Sequence, residues 1–266
     1  MPLDTDLSPP VHVTSEALLR LRPVGGAADE EVAVELPVAL TVNGVSQAVM
    51  LATPADLEDF ALGFALSEGW IAQPGELLDI EVDATRVDGI ELALRVTAAR
   101  EQGLKLRRRQ LAGRTGCGLC GLESLADFAS LQPAPVQALA VDVEALARAM
   151  AALPGAQVLN ARCGGLHGAA WCAPDGRLLL AREDVGRHNA LDKLLGARAR
   201  LQPPAGPGFV AMSSRASHEL VHKAAMARVG LLACVSAPTS LAIATAQQLG
   251  LQLWAFVREG RATRYA

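Results

Sequence analysis

Alternating apolar and polar positions in the first hundred residues predict two β-hairpins. Each hairpin joins two strand-like runs through a dipeptide that favours a tight turn, Asn43-Gly44 in the first and Asp88-Gly89 in the second. The four runs cover residues 32–42, 45–51, 79–86 and 90–97. A polar arm with one short strand is expected before them, over residues 1–28.

Between the hairpins, apolar residues recur at the spacing of one helical face. They are Leu57, Phe60, Ala61, Phe64 and Ala65. Thr53 suits the N-cap of this helix and Pro54 its first position, and the segment ends near Gly69. The order ββαββ predicts a small α+β roll. Its charges are expected to lie on solvated faces and to carry no chemistry.

The middle of the chain is less regular. A charged stretch over residues 100–110 is expected to be a solvated connector, with the grip of an acidic ligand as the alternative. Leucine and alanine at helical spacing predict a helix over residues 141–153 that Pro154-Gly155 ends. Residues 156–161 predict a short strand, and Gly164-Gly165 can let a helix start close to a ligand.

The last third of the chain repeats strands and helices in the order β-α-β-α-β. The strands cover residues 208–212, 231–235 and 251–257, and the helices cover residues 216–229 and 241–249. Right-handed crossovers make neighbouring strands parallel, so the three strand ends are expected at one edge of the sheet. Ligands of such sheets bind beyond the carboxyl ends of the strands.

The turns at this edge are rich in groups that bind phosphate. Hydroxyl side chains cap helices and leave N–H groups free, and arginine forks match phosphate oxygens. The residues concerned are Ser213, Arg215, Ser236, Thr239, Ser240, Arg258 and Arg261. The edge therefore predicts a nucleotide or pyrophosphate cradle, although neither of the two common glycine-rich phosphate loops is present in the sequence.

A dense polar motif marks another strand-to-helix junction. After an apolar strand candidate at residues 178–180, eight of the twelve residues from Arg182 to Lys193 are charged or polar. A single polar residue in such a place is typically a cap or a surface group, but this density favours a site. The candidate members are Asp184, Arg187, His188, Asn189, Asp192 and Lys193.

Composition narrows the class of protein. The chain has 266 residues, 51% of them hydrophobic and 3% aromatic, which is typical of a globular protein with substantial cores. Its net charge of -4 gives no general reason to expect nucleic-acid binding. Residues 1–10 show no signal segment and no uncharged run reaches membrane-spanning length. We therefore expect a cytoplasmic protein without a membrane segment, whose five cysteines are free thiols.

Two of those cysteines lie in a glycine-rich segment, Gly116-Cys117-Gly118-Leu119-Cys120-Gly121. Glycine on both sides of Cys117 and after Cys120 predicts an accessible loop rather than two buried apolar residues. A predicted helix start after the segment, and arginines 107–109 and 114 before it, favour thiols with a lowered pKa. The pair is therefore expected to be exposed and activated.

Three kinds of site use such a pair. One is half of a zinc site, whose other half would be Cys163 and His167. Another is a dithiol redox pair, which usually follows a strand and opens a helix, whereas a basic segment precedes this one. The third is a sulfur or acyl carrier, in which one thiolate is the nucleophile and the other resolves the product.

Three separated motifs, in this order, closely resemble the FdhD family of sulfurtransferases required for formate dehydrogenase activity. They are the Cys117–Cys120 segment, the polar motif from Arg182 to Lys193, and the stretch from Ser213 to Leu241. The resemblance covers most of the chain from about residue 113 onward. It implies that persulfide sulfur passes from a cysteine desulfurase to the molybdenum cofactor, carried by Cys117 with help from Cys120.

The resemblance also implies a ligand. The cofactor is a bis(molybdopterin guanine dinucleotide), sulfurated before its insertion into formate dehydrogenase, so a guanine-nucleotide site is expected. The family's cofactor-binding segment matches Phe256, Val257, Arg258, Glu259, Gly260 and Arg261. We add to this site His188 and the hydroxyl and arginine residues of the sheet edge. The resemblance further favours a homodimer.

The second half of the family looks like the cytidine deaminase fold, here expected without its zinc signature. Ala169 stands where that signature has glutamate, and the chain has no Pro-Cys-x-x-Cys, so we expect neither deamination nor a structural metal. Two positions depart from the family pattern, Cys163 for a common threonine and Ser214 for a common glycine. Cys163 is therefore a candidate third sulfur acceptor or zinc ligand.

The predicted organisation has two domains. An α+β roll covers residues 1–105, and an α/β domain over residues 106–266 carries the cysteine pair and the cofactor site. The leading function is a sulfurtransferase with a cysteine persulfide intermediate. A molybdenum-cofactor chaperone that binds without transferring sulfur is the alternative, and a zinc-stabilised scaffold is a third class.

Overall fold

Twelve strands and seven helices occupy residues 16–24, 28–110, 133–258 and 260–266, the part of the chain that the computed structural model describes. The strands are β1 (Leu18–Leu21), β2 (Glu30–Ala33), β3 (Leu36–Val42), β4 (Val45–Ala52), β5 (Leu77–Asp83), β6 (Ile90–Val96), β7 (His167–Cys172), β8 (Leu178–Asp184), β9 (Phe209–Met212), β10 (Leu231–Cys234), β11 (Gln252–Arg258) and β12 (Arg261–Arg264). The helices are α1 (Leu57–Ser67), α2 (Ala98–Gln110), α3 (Val143–Ala156), α4 (Asn160–Cys163), α5 (Arg187–Ala199), α6 (His218–Met226) and α7 (Ser240–Leu249). Within these ranges the strands form sheets of two, four and six strands.

The four-stranded sheet confirms both predicted hairpins. Its order is β4-β3-β6-β5, with antiparallel pairs at the edges and a parallel central pair. Alternate residues of the central strands, such as Val38, Leu40 and Leu92, are buried, because a period of two turns every second side chain towards α1. The first turn consists of Asn43 and Gly44, both at positive φ, as an Asn-Gly hairpin turn requires.

Two local predictions in this unit are wrong. The strand-like run over residues 32–42 is broken, because β2 ends at Ala33 to pair with β1 and β3 begins at Leu36. Helix α1 begins at Leu57 after Asp56, whose φ is 53°, and not after a Thr53 cap with Pro54 in the first turn. Thr53 is buried instead, because its backbone and hydroxyl bind groups of the second half of the chain.

The segment between the two larger sheets also differs from expectation. Residues 100–110 belong to helix α2 rather than to a connector, and the division predicted at residue 105, which stays a prediction, falls inside this helix. Residues 156–161, predicted as a strand, end α3 and enter α4. Gly164-Gly165 lead into strand β7 and not into a helix. Helix α3 itself confirms the helix predicted over residues 141–153, but Pro154-Gly155 do not end it, since it continues through them to Ala156.

The six-stranded sheet carries the predicted ligand edge. Its order is β12-β11-β10-β9-β7-β8. Strands β9, β10 and β11 are parallel, as the β-α-β-α-β pattern predicts, whereas β7, β8 and β12 run antiparallel to their neighbours. Helices α5, α6 and α7 cover one face of the sheet and α3 covers the other. The carboxyl ends of the three parallel strands therefore meet at one edge.

Helices α1 and α5 cross at two glycines, Gly63 and Gly196, and so join the two larger sheets. An added Cβ at Gly63 would fall on the backbone carbonyl of Asp192, and one at Gly196 would fall on that of Asp59. Both contacts would be closer than Cβ atoms approach other atoms in proteins. The crossing therefore requires a hydrogen atom, and not a side chain, at both positions.

We expect Gly63→Ala to lower the free energy of unfolding by about 1–3 kcal/mol, because the helices must move apart and lose packing. Denaturant unfolding measures the loss. Gly155→Ala in α3 is the matched control, since nothing lies within 4 Å of its added Cβ. We expect that variant to be unchanged or slightly more stable. Equal effects in the two variants would contradict the close crossing.

Candidate functional site

Two loops at the carboxyl edge of the parallel strands are joined by backbone hydrogen bonds. One follows β9 and the other follows β10, and Ala216 pairs with Pro238 in a parallel bridge. The N–H of Ala216 donates to the carbonyl of Ala237 at 3.0 Å, and the N–H of Thr239 donates to the carbonyl of Ala216 at 3.0 Å. The two loops therefore run side by side in the same direction. Each ends at the N-cap of a helix, which is Ser217 for α6 and Thr239 for α7.

The hydroxyl groups of these loops have different tasks. Thr239 caps α7, because its Oγ1 accepts the N–H of Ala242 at 3.2 Å. The Oγ of Ser213 accepts the N–H of Gly168 at 2.7 Å and so fixes β7 beside β9. Ser214 donates to the carbonyl of Arg215 at 3.1 Å. Three hydroxyls of the predicted cradle region therefore make hydrogen bonds within the protein. The cap at Thr239 confirms the predicted capping role of these hydroxyls, whereas the bonds of Ser213 and Ser214 were not predicted.

The predicted cofactor segment follows directly. Phe256 has a φ of 53°, left-handed for a non-glycine residue, at a register shift in the pairing of β11 with β12. Its N–H donates to the carbonyl of Ser236 at 3.2 Å, which places it beside the β10 loop. The Arg261 guanidinium lies 4.6 Å from the centre of the Phe256 ring. Strained backbone of this kind clusters at ligand sites.

The remaining predicted residues of this edge vary in exposure. Val257 is buried in the core, whereas Arg258, Gly260, Arg261 and Ser240 are exposed. Ser236 is half-buried. Glu259, Cys117 and Cys120 lie outside the described residues. The structure therefore brings Phe256, Arg261 and the β10 loop together at the edge.

The polar motif from Arg182 to Lys193 divides into a structural part and an edge part. The ammonium of Lys193 lies 2.7 Å from Asp184 Oδ2, with both side chains 0% exposed. Asp184 also accepts the N–H groups of Thr53 and Gly186, and the carbonyl of Thr53 accepts from Lys193. Asn189 donates to the carbonyl of Leu51 at 2.7 Å. These three motif residues therefore tie the first half of the chain to the second, which corrects their prediction as site residues.

A second buried ion pair connects α1, α5 and α6. The ammonium of Lys223 lies 2.9 Å from Asp192 Oδ2 and 2.8 Å from Glu68 Oε1, and Ser67 donates to Asp192 at 2.6 Å. Burial raises the pKa of Asp192 to about 6, although Lys223 and Ser67 oppose this change. The charged residues of the first half of the chain therefore do not all lie on solvated faces, since Glu68 takes part in this ion pair. Sequence reasoning missed Ser67 and Lys223, because their partnership spans 156 positions.

Two residues of the motif face the ligand edge, Arg187 and His188, at the start of α5. The Nε2 of His188 lies 3.4 Å from Ser217 Oγ and 3.9 Å from Glu219 Oε2. Burial, followed by the charges of Arg187 and Lys223, lowers the pKa of His188 to about 4. His188 is therefore neutral near pH 7, and its predicted role in cofactor binding stays a prediction.

The depressed pKa of His188 predicts a pH dependence of stability. The unfolded chain, with a histidine pKa of 6.5, takes up the proton first, so this stability is complete above that pH and is lost as pH falls towards about 4. Arg187, Lys223 and Arg215 favour this loss and Glu219 opposes it. We expect His188→Gln to reduce the loss of unfolding free energy between about pH 7 and about pH 5 by up to about 2 kcal/mol. Parallel curves for variant and parent would contradict the shift.

The described cysteines differ in burial, which affects how readily their thiols ionise. Cys172 and Cys234 are fully buried. Burial raises the pKa of the Cys172 thiol to about 12 and raises that of Cys234 as well, so neither supplies a thiolate at neutral pH. Cys163 is half-buried at the end of α4. In the ranges described, no three histidine, cysteine or acidic residues form a metal cluster.

Together these features define a mixed α/β protein whose six-stranded sheet has the three carboxyl ends of its parallel strands at one edge. Residues 33–266 match the model of the FdhD/NarQ family, and the chain belongs to that family. None of the helices in the described ranges has the length and apolar character needed to cross a lipid bilayer.

Two relatives from different bacteria share one name with each other. The chain is 56% identical to "Sulfur carrier protein FdhD" of Variovorax paradoxus, over 85% of this chain and 81% of the relative. It is 49% identical to the protein of that name from Cupriavidus necator, over 98% of this chain and 90% of the relative. A crystal structure from Desulfotalea psychrophila, described as a candidate formate dehydrogenase accessory protein, has the same fold, with a TM-score of 0.69 and 24% identity over 93% of this chain and 94% of that chain.

Proposed function

We propose that this chain is a sulfur carrier in the maturation of formate dehydrogenase. The observation that carries the proposal is its family membership over residues 33–266, with relatives about half identical that are named sulfur carrier proteins. The glycine-rich Cys117–Cys120 pair supplies the thiols that such a role needs. Of the described cysteines, Cys172 and Cys234 are buried and do not supply a thiolate at neutral pH, and Cys163 has no second cysteine three positions away, which supports the pair as the carrier.

The chemistry of the pair balances in three steps. The Cys117 thiolate attacks the terminal sulfur of a persulfide on a cysteine desulfurase, so a new S–S bond forms on Cys117 and the desulfurase thiolate leaves. The Cys120 thiolate then attacks Cys117, which forms a disulfide and releases the terminal sulfur as hydrosulfide. The two cysteines supply the two electrons of this reduction, and a cellular thiol reductant restores them. The hydrosulfide replaces an oxo ligand of the molybdenum substrate, and that oxygen leaves as water with the proton of the hydrosulfide and one further proton from solvent.

The sheet edge is the proposed binding place of the sulfur acceptor. We propose a bis(molybdopterin guanine dinucleotide) as this substrate, with Phe256, Arg258 and Arg261 as its principal contacts and Glu259 beside them. The left-handed Phe256, the exposed arginines and the capped start of α7 support a guanine-nucleotide site. We also propose that the second half has the cytidine deaminase-like topology. Ala169, at a position where deaminases use glutamate, makes deamination unsupported.

Phe256→Gly tests the nucleotide site. We expect GDP, used as a mimic of the cofactor's nucleotide end, to bind at least about tenfold more weakly, because the ring that stacks with Arg261 is lost. The fold should not suffer, because glycine adopts a φ of 53° without strain. Calorimetric titration with GDP gives the affinity. Trp254→Phe, on the same strand, is the control and should bind GDP as the parent does. Unchanged binding by Phe256→Gly would remove this segment from the site.

The alternative function is a molybdenum-cofactor chaperone that protects and delivers the cofactor without transferring sulfur. The same sheet edge would serve it, so binding measurements do not separate the two functions. The cysteine variants do, since a chaperone would keep its activity without Cys117 or Cys120. A zinc-stabilised scaffold, with Cys163 and His167 as further ligands, would retain stoichiometric zinc on purification.

The proposed partners follow from the proposed reaction. A cysteine desulfurase donates the sulfur, and the catalytic subunit of formate dehydrogenase receives the sulfurated cofactor. We place this exchange in the cytoplasm, where thiols stay reduced. A homodimer is proposed as the working assembly, because it would offer two nucleotide sites to a cofactor with two nucleotide arms. Analytical ultracentrifugation would show a monomer if that assembly is wrong.

A further inference from the structure

Two buried hydrogen-bond donors without partners lie side by side near the edge of the six-stranded sheet where the parallel strands begin. Within the described ranges, three buried side-chain nitrogens lack a hydrogen-bond partner, and two of them are Trp171 Nε1 and Arg198 Nε. Trp171 lies on β7 and pairs with Val210 near the start of β9. Arg198 belongs to the last turn of α5. Both donors are therefore at the opposite end of the sheet from the edge where β9, β10 and β11 finish.

The indole of Trp171 is enclosed on two sides. Trp171 is 2% exposed, and the Arg198 guanidinium lies 4.2 Å from the centre of its ring. A Cβ added to Gly208 would lie 2.7 Å from Cε2 and 2.8 Å from Cζ2 of the indole, so the backbone of Gly208 packs directly against the ring. An indole N–H can only donate, and buried polar atoms nearly always have a partner. The Trp171 N–H therefore indicates an acceptor at this place.

The guanidinium of Arg198 uses only one of its edges. Its Nη1 donates at 3.1 Å to the carbonyl of Ala227, the residue that caps the C-terminus of α6. This carbonyl and the Trp171 ring stabilise a cation here. The described residues provide no acceptor for Nε or Nη2. Those two N–H groups form the fork that binds both oxygens of a carboxylate in parallel hydrogen bonds.

Arg198 also lacks an opposing charge. Burial lowers the pKa of Arg198, and no neighbouring charge contributes to this change. Two arginines close to it in the fold differ in this respect. Arg182 lies 2.7 Å from Asp59, and Arg200 lies 2.7 Å from Glu58. Because buried cations are normally paired, the acceptor at Arg198 should be an anion rather than a neutral group.

We propose that Trp171 and Arg198 form a binding site for a small carboxylate, separate from the proposed nucleotide site. The Nε and Nη2 of Arg198 would each bind one carboxylate oxygen, and the Trp171 N–H would donate to one of the two. The close packing of Arg198 and Gly208 on the indole limits the ligand to one or two carbon atoms, as in formate or acetate. This inference does not rest on the proposed function, since neither residue takes part in sulfur transfer or nucleotide binding.

NMR titration of the full-length protein with sodium formate tests the site, with sodium chloride at equal ionic strength as the reference. We expect formate to move the indole N–H signal of Trp171 downfield, with a dissociation constant on the order of 1 mM for so small a ligand. The signals of Trp70 and Trp254 should stay in place. The signal that disappears in Trp171→Phe assigns the residue. An equal shift with chloride would overturn the assignment to a carboxylate.

Variants of the two donors give a second readout, in which saturation transfer to the formate proton measures binding. Arg198→Lys keeps the positive charge but removes the fork, so we expect binding to weaken at least about tenfold. Trp171→Phe keeps an aromatic ring under Arg198 and removes only the N–H donor, so we expect a loss of about threefold to tenfold. Arg148→Lys in α3 and Trp254→Phe in β11 are the matched controls and should bind formate as the parent does.

The outcomes decide between a carboxylate site and none. If Arg198→Lys does not fold, Trp171→Phe still tests the site, because the charge and the aromatic contact remain. Unchanged binding in Trp171→Phe would show that formate binds elsewhere and would overturn the proposal. Acetate should bind like formate, whereas benzoate should not bind, because its ring exceeds the space beside the indole. No binding of formate or acetate by the parent, or equal binding of benzoate, would also overturn it.

Discussion

Replacing Cys117 with Ala is expected to abolish sulfur transfer completely while leaving GDP binding intact. Cys172 and Cys234 cannot replace Cys117 as the host of the sulfane sulfur, because they are buried and their thiols have raised pKa values. The sheet edge proposed to bind the nucleotide is built from β9, β10 and β11, whose residues are separate in sequence from Cys117 and Cys120. The activity of formate dehydrogenase matured with the variant measures transfer, and calorimetry measures GDP binding.

The matched variants sharpen this test. Cys120→Ala should still accept sulfur on Cys117 but should not release it as hydrosulfide, because the resolving thiol is absent. Cys163→Ala should behave as the parent does, unless Cys163 is a third acceptor. Full activity of Cys117→Ala would favour the chaperone. Loss of GDP binding together with activity would show that the cysteine segment has a structural role.

Replacing Lys193 with Met is expected to destabilise the folded protein by about 3–5 kcal/mol, the typical effect of leaving one member of a buried ion pair alone. The carboxylate of Asp184 would stay buried with only N–H donors around it, from Thr53, Gly186 and Asn189. In a chain of this size the melting temperature should fall on the order of 10 °C. Thermal and denaturant unfolding of the purified variant measure both quantities.

An exposed ion pair provides the contrast. Arg95 and Asp79 lie 3.3 Å apart with side chains 66% and 61% exposed. Arg95→Ala should therefore change the unfolding free energy by no more than about 1 kcal/mol. If Lys193→Met proved as mild as Arg95→Ala, the ion pair would not be the tie between the two halves of the chain that the structure indicates.

The sequence correctly predicted those parts of the fold that depend on contacts between residues close together in the chain. The Asn43-Gly44 turn and the β-α-β-α-β order were readable because the turn and each crossover depend on residues close in sequence. Thr53 looked like a helix cap for the same local reason. Its true partner is Asp184, 131 positions away, and that contact overrides the capping preference. A single sequence holds no signal for a contact of this range.

The polar motif from Arg182 to Lys193 shows the same limit at the site. The many charged residues of this motif singled out the junction between β8 and α5. Their number does not distinguish residues that bind a ligand from residues that bind other parts of the protein. Asp184, Asn189 and Lys193 turned inward to Thr53 and Leu51, and Asp192 to Lys223. Arg187 and His188 were left at the edge. Only the packing of α1 against α5 decides between these roles.

The most direct test of the account is the intact mass of the protein after incubation with a cysteine desulfurase and cysteine, with and without a reductant. We expect the Cys120→Ala variant, which lacks the resolving thiol, to gain one sulfur atom that the reductant removes and that peptide mapping assigns to Cys117, whereas the parent can release hydrosulfide and keep a Cys117–Cys120 disulfide. An unchanged mass in both proteins, while they bind GDP or hold stoichiometric zinc, would contradict the carrier role and leave a cofactor chaperone or a zinc-stabilised scaffold.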